Sequence, residues 1–255
     1  MSLLINRPVL LITSCINIAD EDVVLRSPEK RVFHTLEAIE QWLKLAPELP
    51  IVICDGSDFD FTNILREKFP LKHFECLNFQ NNIAKVKLQG KGYGEGEIIN
   101  FALENSQLLL EADYFIKCTG KLWVENIQDC LNNYRGFFQA KAYFKHVFSP
   151  LNRIIFEYID TRFFIVQKDY YKKYFMNAYH LVGLSDERSI EHLFRDIVLE
   201  NHLCAVLFKI NPVIAGVGGG HGQYYKNNLK RRIKERFRQM LVKNSRAFKS
   251  LYPNT

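Results

Sequence analysis

The sequence predicts an α/β fold, a mostly parallel β-sheet flanked by helices, with a basic amphipathic helix at the C-terminus. Two apolar runs, at residues 9–15 and 50–57, are nearly continuous, which is typical of strands buried on both faces. Between such runs, apolar residues recur at three- and four-residue spacing, which predicts helices. Strand and helix alternate through the first half, which indicates parallel strands joined by helical crossovers.

The same patterns place the individual elements. Strands are predicted at residues 9–15, 50–57, 74–79, 113–120, 137–144, 163–167 and 204–213. Helices are predicted at residues 33–43, 61–69, about 97–110, 124–134, 169–175 and 185–201. The polar stretch at residues 20–31 is predicted to be a loop.

Composition describes an ordinary globular protein. The 255 residues are 47% hydrophobic and 24% charged, enough for one large or two small domains with a core. Six cysteines without a CxxC pair favour reduced thiols and a cytosolic protein over a zinc site or a disulfide framework. The first apolar run is too short to span a membrane and has no cleavage pattern, so we expect a strand there.

Positive charge is concentrated at the C-terminus. The chain has a net charge of +6, yet ten Lys and Arg and a single acid, Glu235, lie between Lys226 and Lys249. The remainder has 24 basic and 27 acidic residues, which argues against a nucleic-acid-binding body. Apolar residues recur in the tail at three- and four-residue spacing, as in helices that lie in an anionic membrane interface. A basic helix packed on the body, or one that binds nucleic acid, is the alternative.

Two stretches are rich in glycine. Gly92, Gly94 and Gly96 alternate in Lys91-Gly92-Tyr93-Gly94-Glu95-Gly96-Glu97, and the helical pattern begins only afterwards. This predicts a glycine loop that leads into a helix N-terminus, where free N–H groups suit an anion. The alternative is a tight turn in which the two glutamates cap the helix. The second stretch, at residues 215–222, contains His221.

Polar residues also follow two predicted strands, as Asp55-Gly56-Ser57 and Lys117-Cys118-Thr119-Gly120. Ligands of open α/β sheets bind at the carboxyl ends of the strands. Lys117 is flanked by apolar residues, where a lysine is costly unless it is paired. It therefore either serves the function or pairs with a nearby acid such as Glu95.

These blocks resemble the nucleotide-sugar glycosyltransferases that have a GT-A fold. Asp55-Gly56-Ser57 is similar to the Asp-Gly-Ser at their second strand. The glycine stretch, together with Phe115-Ile116-Lys117-Cys118-Thr119-Gly120-Lys121, resembles bacterial enzymes that build capsule and lipopolysaccharide glycans. The resemblance implies one catalytic domain at residues 1–225, with a nucleotide-binding half at about 1–145 and an acceptor half at about 146–225. Residues 226–255 would form the amphipathic tail.

The resemblance also implies roles and partners. The donor would be a nucleotide-sugar and the acceptor a glycan or lipid-linked glycan, at the cytoplasmic inner face of the plasma membrane, with the tail on anionic lipid and no nucleic acid bound. Lys117 would neutralise the leaving diphosphate. Asp186 or Glu187 would be the acceptor base, chosen from a set that also holds Glu95, Glu97, Asp160 and Glu191. The expected donor-binding residues are Arg26, Arg31, Asp55, Gly56, Lys91, Gly92, Gly94, Glu95, Thr119, Gly120 and His221.

One departure from the family concerns metal. GT-A enzymes commonly carry an Asp-x-Asp motif at a strand end, where this chain has Lys117 to Lys121. Asp58 and Asp60 come too early for that role. We therefore predict no metal ligands and a metal-independent enzyme, although the resemblance still allows Mg²⁺ or Mn²⁺ as cofactor.

Two other classes stay open. A nucleotidyltransferase would carry a glycine-rich loop directly after the first strand, and residues 14–18 contain no glycine. A non-catalytic membrane or nucleic-acid binding module would explain the tail but neither the glycine stretch nor the Lys-Cys-Thr-Gly strand end.

Overall fold

The computed structural model describes residues 8–18, 23–184, 188–219, 222–225 and 227–253. Its strands are β1 (Val9–Ser14), β2 (Ile51–Asp55), β3 (Phe74–Asn78), β4 (Tyr114–Thr119), β5 (Leu122–Val124), β6 (Phe138–Lys145), β7 (Ile155–Gln167) and β8 (Ile214–Gly216). Its helices are α1 (Pro28–Leu45), α2 (Thr62–Lys68), α3 (Ile83–Gln89), α4 (Lys91–Asn105), α5 (Gln107–Glu111), α6 (Ile127–Asn132), α7 (Lys168–Tyr174), α8 (Ile190–Glu200) and α9 (Leu229–Asn244).

A six-stranded sheet in the order β3-β2-β1-β4-β7-β6 forms the centre of the molecule. The first four of these strands are parallel, whereas β7 is antiparallel to both β4 and β6. The predicted class, a mostly parallel sheet flanked by helices, is confirmed. The register brings Ser14, Asp55 and Thr119 to one edge of the sheet, the carboxyl edge of the parallel strands.

Each face of the sheet is covered by helices and carries its own apolar core. Leu10 and Ile12 point to one face, with Trp42 of α1, whereas Leu11 points to the other face, with Ile99 of α4. Successive strand residues alternate between the faces. Burial of both faces therefore explains why the apolar runs are continuous in the sequence.

The segment at residues 204–213 is not the strand that its apolar residues predicted. It is irregular, with one isolated bridge between Leu207 and Ala140, and Ala205 has a positive φ of 56°. Leu207 and Phe208 are nevertheless buried in the two cores. Burial here comes from tertiary contacts without strand geometry, and the short β8 that follows pairs with β5 in a separate two-stranded sheet.

The C-terminal segment packs on the body. Val242 of α9 is buried, as are Leu251 and Tyr252 beyond it. Main-chain N–H groups of Ala205 and Leu207 donate to the carbonyls of Ser250 and Leu251. The segment beyond residue 225, expected to be a distinct tail, therefore contributes to the main core. None of the described helices has the length and apolar character needed to cross a membrane.

Candidate functional site

A buried polar network lies beneath the carboxyl edge. Lys117 is in the middle of the sheet and fully buried, and its Nζ donates to Glu95 Oε1 at 2.5 Å, Thr119 Oγ1 at 2.8 Å and the Thr161 carbonyl at 2.7 Å. Thr119 and Thr13 donate to the same Glu95 oxygen. An ammonium group has three protons, and all three are used. Lys117 is thus a positioning residue that fixes Glu95, and the pairing with Glu95 is the alternative that the sequence had left open.

The glycine stretch is helical and does not form a phosphate loop. Gly90, with a φ of 82°, ends α3, and α4 begins at Lys91, six residues before the expected start. A Cβ at Gly96 would lie 2.2 Å from Cβ of Tyr179, and one at Gly92 would lie 3.1 Å from Cβ of Ile190. These glycines let α4 pack closely on the second half of the chain. The sequence shows no helical periodicity in this stretch because the residues of α4 that make these contacts are glycines, which have no side chains.

Asp55 organises the loop after β1. It is fully buried, and its carboxylate accepts hydrogen bonds from the N–H groups of Ile16, Ser57 and Phe59 and from the Ser57 hydroxyl. These bonds hold the loop after β1 against the end of β2. Gly56 beside it admits the side chain of Asn81, whose Nδ2 would lie 2.5 Å from an added Cβ.

Lys121 is the residue that sequence reasoning missed. It lies two residues after the end of β4, has a positive φ of 69°, and is only 3% exposed. Its Nζ makes neither a hydrogen bond nor an ion pair with any residue that the structure describes. Both the backbone conformation and the burial of the charge are costly, and such costs concentrate at functional sites. The only sequence signal was its position after Thr119-Gly120.

A second buried cation lies close to Lys121. Arg31, in the first turn of α1, is 6% exposed and donates to the carbonyls of Cys15 and Leu25. No described carboxylate forms an ion pair with it. Burial, reinforced by the charge of Arg31, lowers the pKa of Lys121 to about 7, although Cys15, Asp55 and Glu95 oppose this. Burial also lowers the pKa of Arg31.

The described part of the late glycine-rich stretch lies against Lys121. Val217 donates its N–H to the Lys121 carbonyl, and a Cβ at Gly219 would lie 3.9 Å from Lys121 Nζ. Gly120 passes so close to β1 that a Cβ there would lie 2.8 Å from the Thr13 carbonyl oxygen. The hydroxyl of Ser14, at the end of β1, is buried and has no described partner. Lys121, Arg31 and the Ser14 hydroxyl, which has no described partner, thus lie near the ends of β1 and β4.

Other expected residues have different surroundings. Arg26 is exposed and donates to the carbonyl of Val23 in its own loop, and Lys91 is exposed at the start of α4. A Cβ at Gly94 would lie 2.9 Å from Asn81 Nδ2, so it is a packing position like Gly56. Asp186, Glu187 and His221 lie outside the described residues, so their roles stay predictions.

The described acids near the edge are each held by other groups of the protein. The Glu97 carboxylate accepts from the Asn82 N–H and the Tyr93 hydroxyl, and Asp160 forms a two-point ion pair with Arg162. Asp58 accepts a hydrogen bond from the Asn78 side chain, and Asp60 accepts one from the Thr62 N–H in the first turn of α2. In the part of the chain described, no three metal-ligating side chains cluster. Hard cations need several free oxygens, and the edge presents ammonium and guanidinium groups.

No family model matches the chain, and no curated protein does either. Among solved structures, the inositol-1-phosphate CTP transferase from T. maritima is 14% identical, covers 93% of this chain and 97% of its own, and has a TM-score of 0.48. A glycosyltransferase involved in glycosylation of the major capsid of PBCV-1 is 10% identical, with coverages of 79% and 80% and a TM-score of 0.42. Mouse xyloside xylosyltransferase 1 is 13% identical, with coverages of 78% and 83% and a TM-score of 0.43.

The structural neighbours are thus mostly glycosyltransferases, with a nucleotidyltransferase among them. Likenesses with identities of 14% or less and TM-scores of 0.48 or less carry no argument about function, so what the chain does has to be inferred from its own side chains.

Proposed function

We propose that the chain is a nucleotide-sugar-dependent glycosyltransferase that adds a sugar to a capsule or lipopolysaccharide glycan or to its lipid-linked precursor. The observation that carries the proposal is the buried ammonium of Lys121, without a described carboxylate partner, at the carboxyl edge of the parallel strands. A buried charge of this kind is stabilised by a ligand of opposite charge. The diphosphate of a nucleotide-sugar supplies that charge at the place where α/β sheets bind nucleotides.

In the reaction, Lys121 and Arg31 would bind the two phosphates of the donor. The bond between the anomeric carbon and the phosphate oxygen breaks, the same carbon becomes bonded to the acceptor oxygen, the acceptor proton passes to a base, and negative charge grows on the leaving nucleoside diphosphate. Cations already fixed in a site shielded from water stabilise that charge without reorganisation. Glu95, which Lys117 and two threonines hold in place, would face the donor sugar at the same edge.

The acceptor hydroxyl needs a base. Among the described candidates, Glu97 and Asp160 are engaged with other side chains. Asp186 and Glu187, in the segment just before α8, stay the predicted bases. Their position in the chain, directly before α8, fits this role because Ile190 of that helix packs on Gly92, in the first turn of α4.

A nucleotide panel tests the proposal. UDP, GDP and CMP are added separately to the purified protein and to Lys121→Met, and the melting temperature is measured. One nucleotide at a hundred times its Kd should stabilise the wild type by about 2.7 kcal/mol, and Lys121→Met should lose most of that shift. Lys87→Met is the matched control, because Lys87 is an exposed lysine on α3.

Two results would overturn the assignment. If no nucleotide shifts the wild-type melting temperature, the chain is a binding module of another kind. If the chain releases pyrophosphate from a nucleoside triphosphate and a sugar phosphate, and transfers no sugar from the matching nucleotide-sugar, it is a nucleotidyltransferase.

A further inference from the structure

Helix α9 turns a polar face toward the body of the protein, whereas an ordinary surface helix turns its apolar face inward. Its polar side chains face the body: Glu235 pairs with Lys141 of β6 at 3.1 Å, and Gln239 donates to the Phe208 carbonyl at 2.8 Å. Val242 is its one buried apolar residue. A helix at the surface of a globular protein usually turns its apolar stripe inward, so a different environment has to account for the apolar residues of α9.

Those residues point outward along one side of the helix. Leu229 is 72% exposed, Ile233 59%, Phe237 50% and Met240 48%. Their spacings of four, four and three residues place them in a single stripe. With a rise of 1.5 Å per residue, a helix of this length is roughly 24 Å long. Contiguous exposed apolar surface of this size marks an interaction site.

The connection between β6 and β7 extends the stripe. Phe148 is 45% exposed and its ring stacks on that of Phe237, with centroids 6.1 Å apart and planes 5° apart. Leu151, three residues further along the same connection, is 93% exposed. We call the set Leu229, Ile233, Phe237, Met240, Phe148 and Leu151 the α9 face. Two separate parts of the chain thus present apolar side chains side by side.

Cations surround the α9 face. Lys234 Nζ lies 5.7 Å from the centre of the Phe148 ring, and the Arg238 guanidinium lies 5.6 Å from it. Lys230 and Arg236 are exposed on α9. Long basic side chains around an apolar surface can reach lipid headgroups while the apolar residues enter the acyl boundary.

We propose that the α9 face docks on an anionic lipid bilayer, with α9 lying in the plane of the interface. Each basic residue near an anionic surface strengthens the attraction, and burial of the apolar stripe adds to this. This inference goes beyond the proposed function, because docking needs neither donor nor acceptor. The sequence pattern indicated the helix, whereas the contribution of Phe148 and Leu151 is visible only in the fold.

Flotation with vesicles tests the proposal, using the full chain and no nucleotide. We expect binding to vesicles of phosphatidylcholine with phosphatidylglycerol and about tenfold less to phosphatidylcholine alone. The variant Ile233→Ser with Phe237→Ser should lose binding about tenfold or more, as should Leu151→Ser to a lesser degree. Leu71→Ser is the control, because Leu71 is also 93% exposed but lies between α2 and β3. Lys230→Glu with Lys234→Glu should also weaken binding, and Lys87→Glu should not.

The test uses point variants because deletion of the tail would remove Val242, Leu251 and Tyr252 from the core. The proposal is overturned if the wild-type chain does not float with anionic vesicles, or if Ile233→Ser with Phe237→Ser floats as well as the wild type. It is also overturned if the wild type sediments as a dimer that these substitutions dissociate, or if RNA competes fully for the face. The nucleotide-induced melting shift, measured on the same variants, keeps this outcome separate from that of the proposed function.

Discussion

Lys117 and Glu95 form an ion pair that ties the central strand β4 to helix α4, with the lysine fully buried and the glutamate side chain 23% exposed. The sequence raised two roles for Lys117, and this geometry favours the positioning role over direct contact with a ligand. The two lysines, four residues apart in the chain, therefore differ. Lys117 has three hydrogen-bond partners, whereas Lys121 has none among the described residues.

Replacement of Lys117 should therefore destabilise the fold. Lys117→Met leaves the Glu95 carboxylate without its cation, and breaking a buried pair costs about 3–5 kcal/mol, towards the lower value here because Glu95 is partly exposed. The free energy of unfolding in urea measures the loss. Addition of Glu95→Gln should recover part of it, since the amide needs no counter-ion. Equal stabilities of wild type and Lys117→Met would contradict the positioning role.

Replacement of Lys121 should leave the stability of the fold intact and weaken nucleotide binding. Lys121→Met removes a buried charge that has no described partner, so the free energy of unfolding should stay unchanged or rise by about 1 kcal/mol. Nucleotide affinity should nevertheless fall about tenfold or more, because a hydrogen bond to a charged group contributes about 1.5–3 kcal/mol. Urea unfolding and calorimetric titration with the stabilising nucleotide measure the two effects. A variant that is less stable yet binds normally would make Lys121 structural.

Nucleotide binding should also take up a proton. The Lys121 pKa of about 7 means that the free protein is mostly neutral at this side chain by pH 8, whereas a bound diphosphate favours the charged form. Affinity should fall by up to tenfold per pH unit above pH 7. Titration in buffers of different ionisation enthalpy, between pH 7 and 9, measures the uptake. Lys121→Met should show none, and an absence of uptake in the wild type would contradict the assignment.

The same lowered pKa has a consequence for stability. Between pH 7 and about 10.5 the unfolded chain holds the Lys121 proton and the folded chain has released it. Because the unfolded state binds more protons in this window, the contribution of Lys121 to the free energy of unfolding rises with pH. Arg31, Cys15, Asp55 and Glu95 are the charged or titratable groups that modulate this effect. Comparison of wild type with Lys121→Met at each pH isolates the contribution.

Gly96→Ala should destabilise the protein although alanine is the better helix former. Its Cβ would lie 2.2 Å from Tyr179 Cβ, and overpacking of this kind costs about 1–3 kcal/mol. Gly92→Ala is the matched comparison, with a milder contact of 3.1 Å to Ile190, so it should cost less. Unfolding in urea ranks the two. If Gly96→Ala is the more stable variant, α4 does not pack on residue 179 as described.

Transfer activity should persist in excess EDTA. The described part of the edge presents the buried cations Lys121 and Arg31, and cations can neutralise a diphosphate alone. The rate of sugar release from the donor, with and without chelator, measures this. Loss of activity that Mg²⁺ or Mn²⁺ restores would indicate that acids outside the described residues, such as Asp186 and Glu187, bind a metal.

The sequence by itself determined the four parallel strands of the sheet. Strands β1, β2, β3 and β4 were predicted within one or two residues, because continuous apolar runs reflect burial on both faces and depend on local composition. Polar residues at their ends correctly indicated the carboxyl edge, where parallel strands must end together. The basic helix at the C-terminus was also predicted from its own periodicity.

Only the tertiary structure decided what the polar and glycine residues do. The partner of Gly96 is Tyr179 and that of Lys117 is Glu95, and no local pattern specifies contacts between residues so far apart in the chain. Lys121 was overlooked because a lysine after Thr-Gly gives no sign of being buried. The orientation of α9 was likewise undetermined, since an amphipathic pattern shows that a helix has two faces, and packing decides which one meets the body.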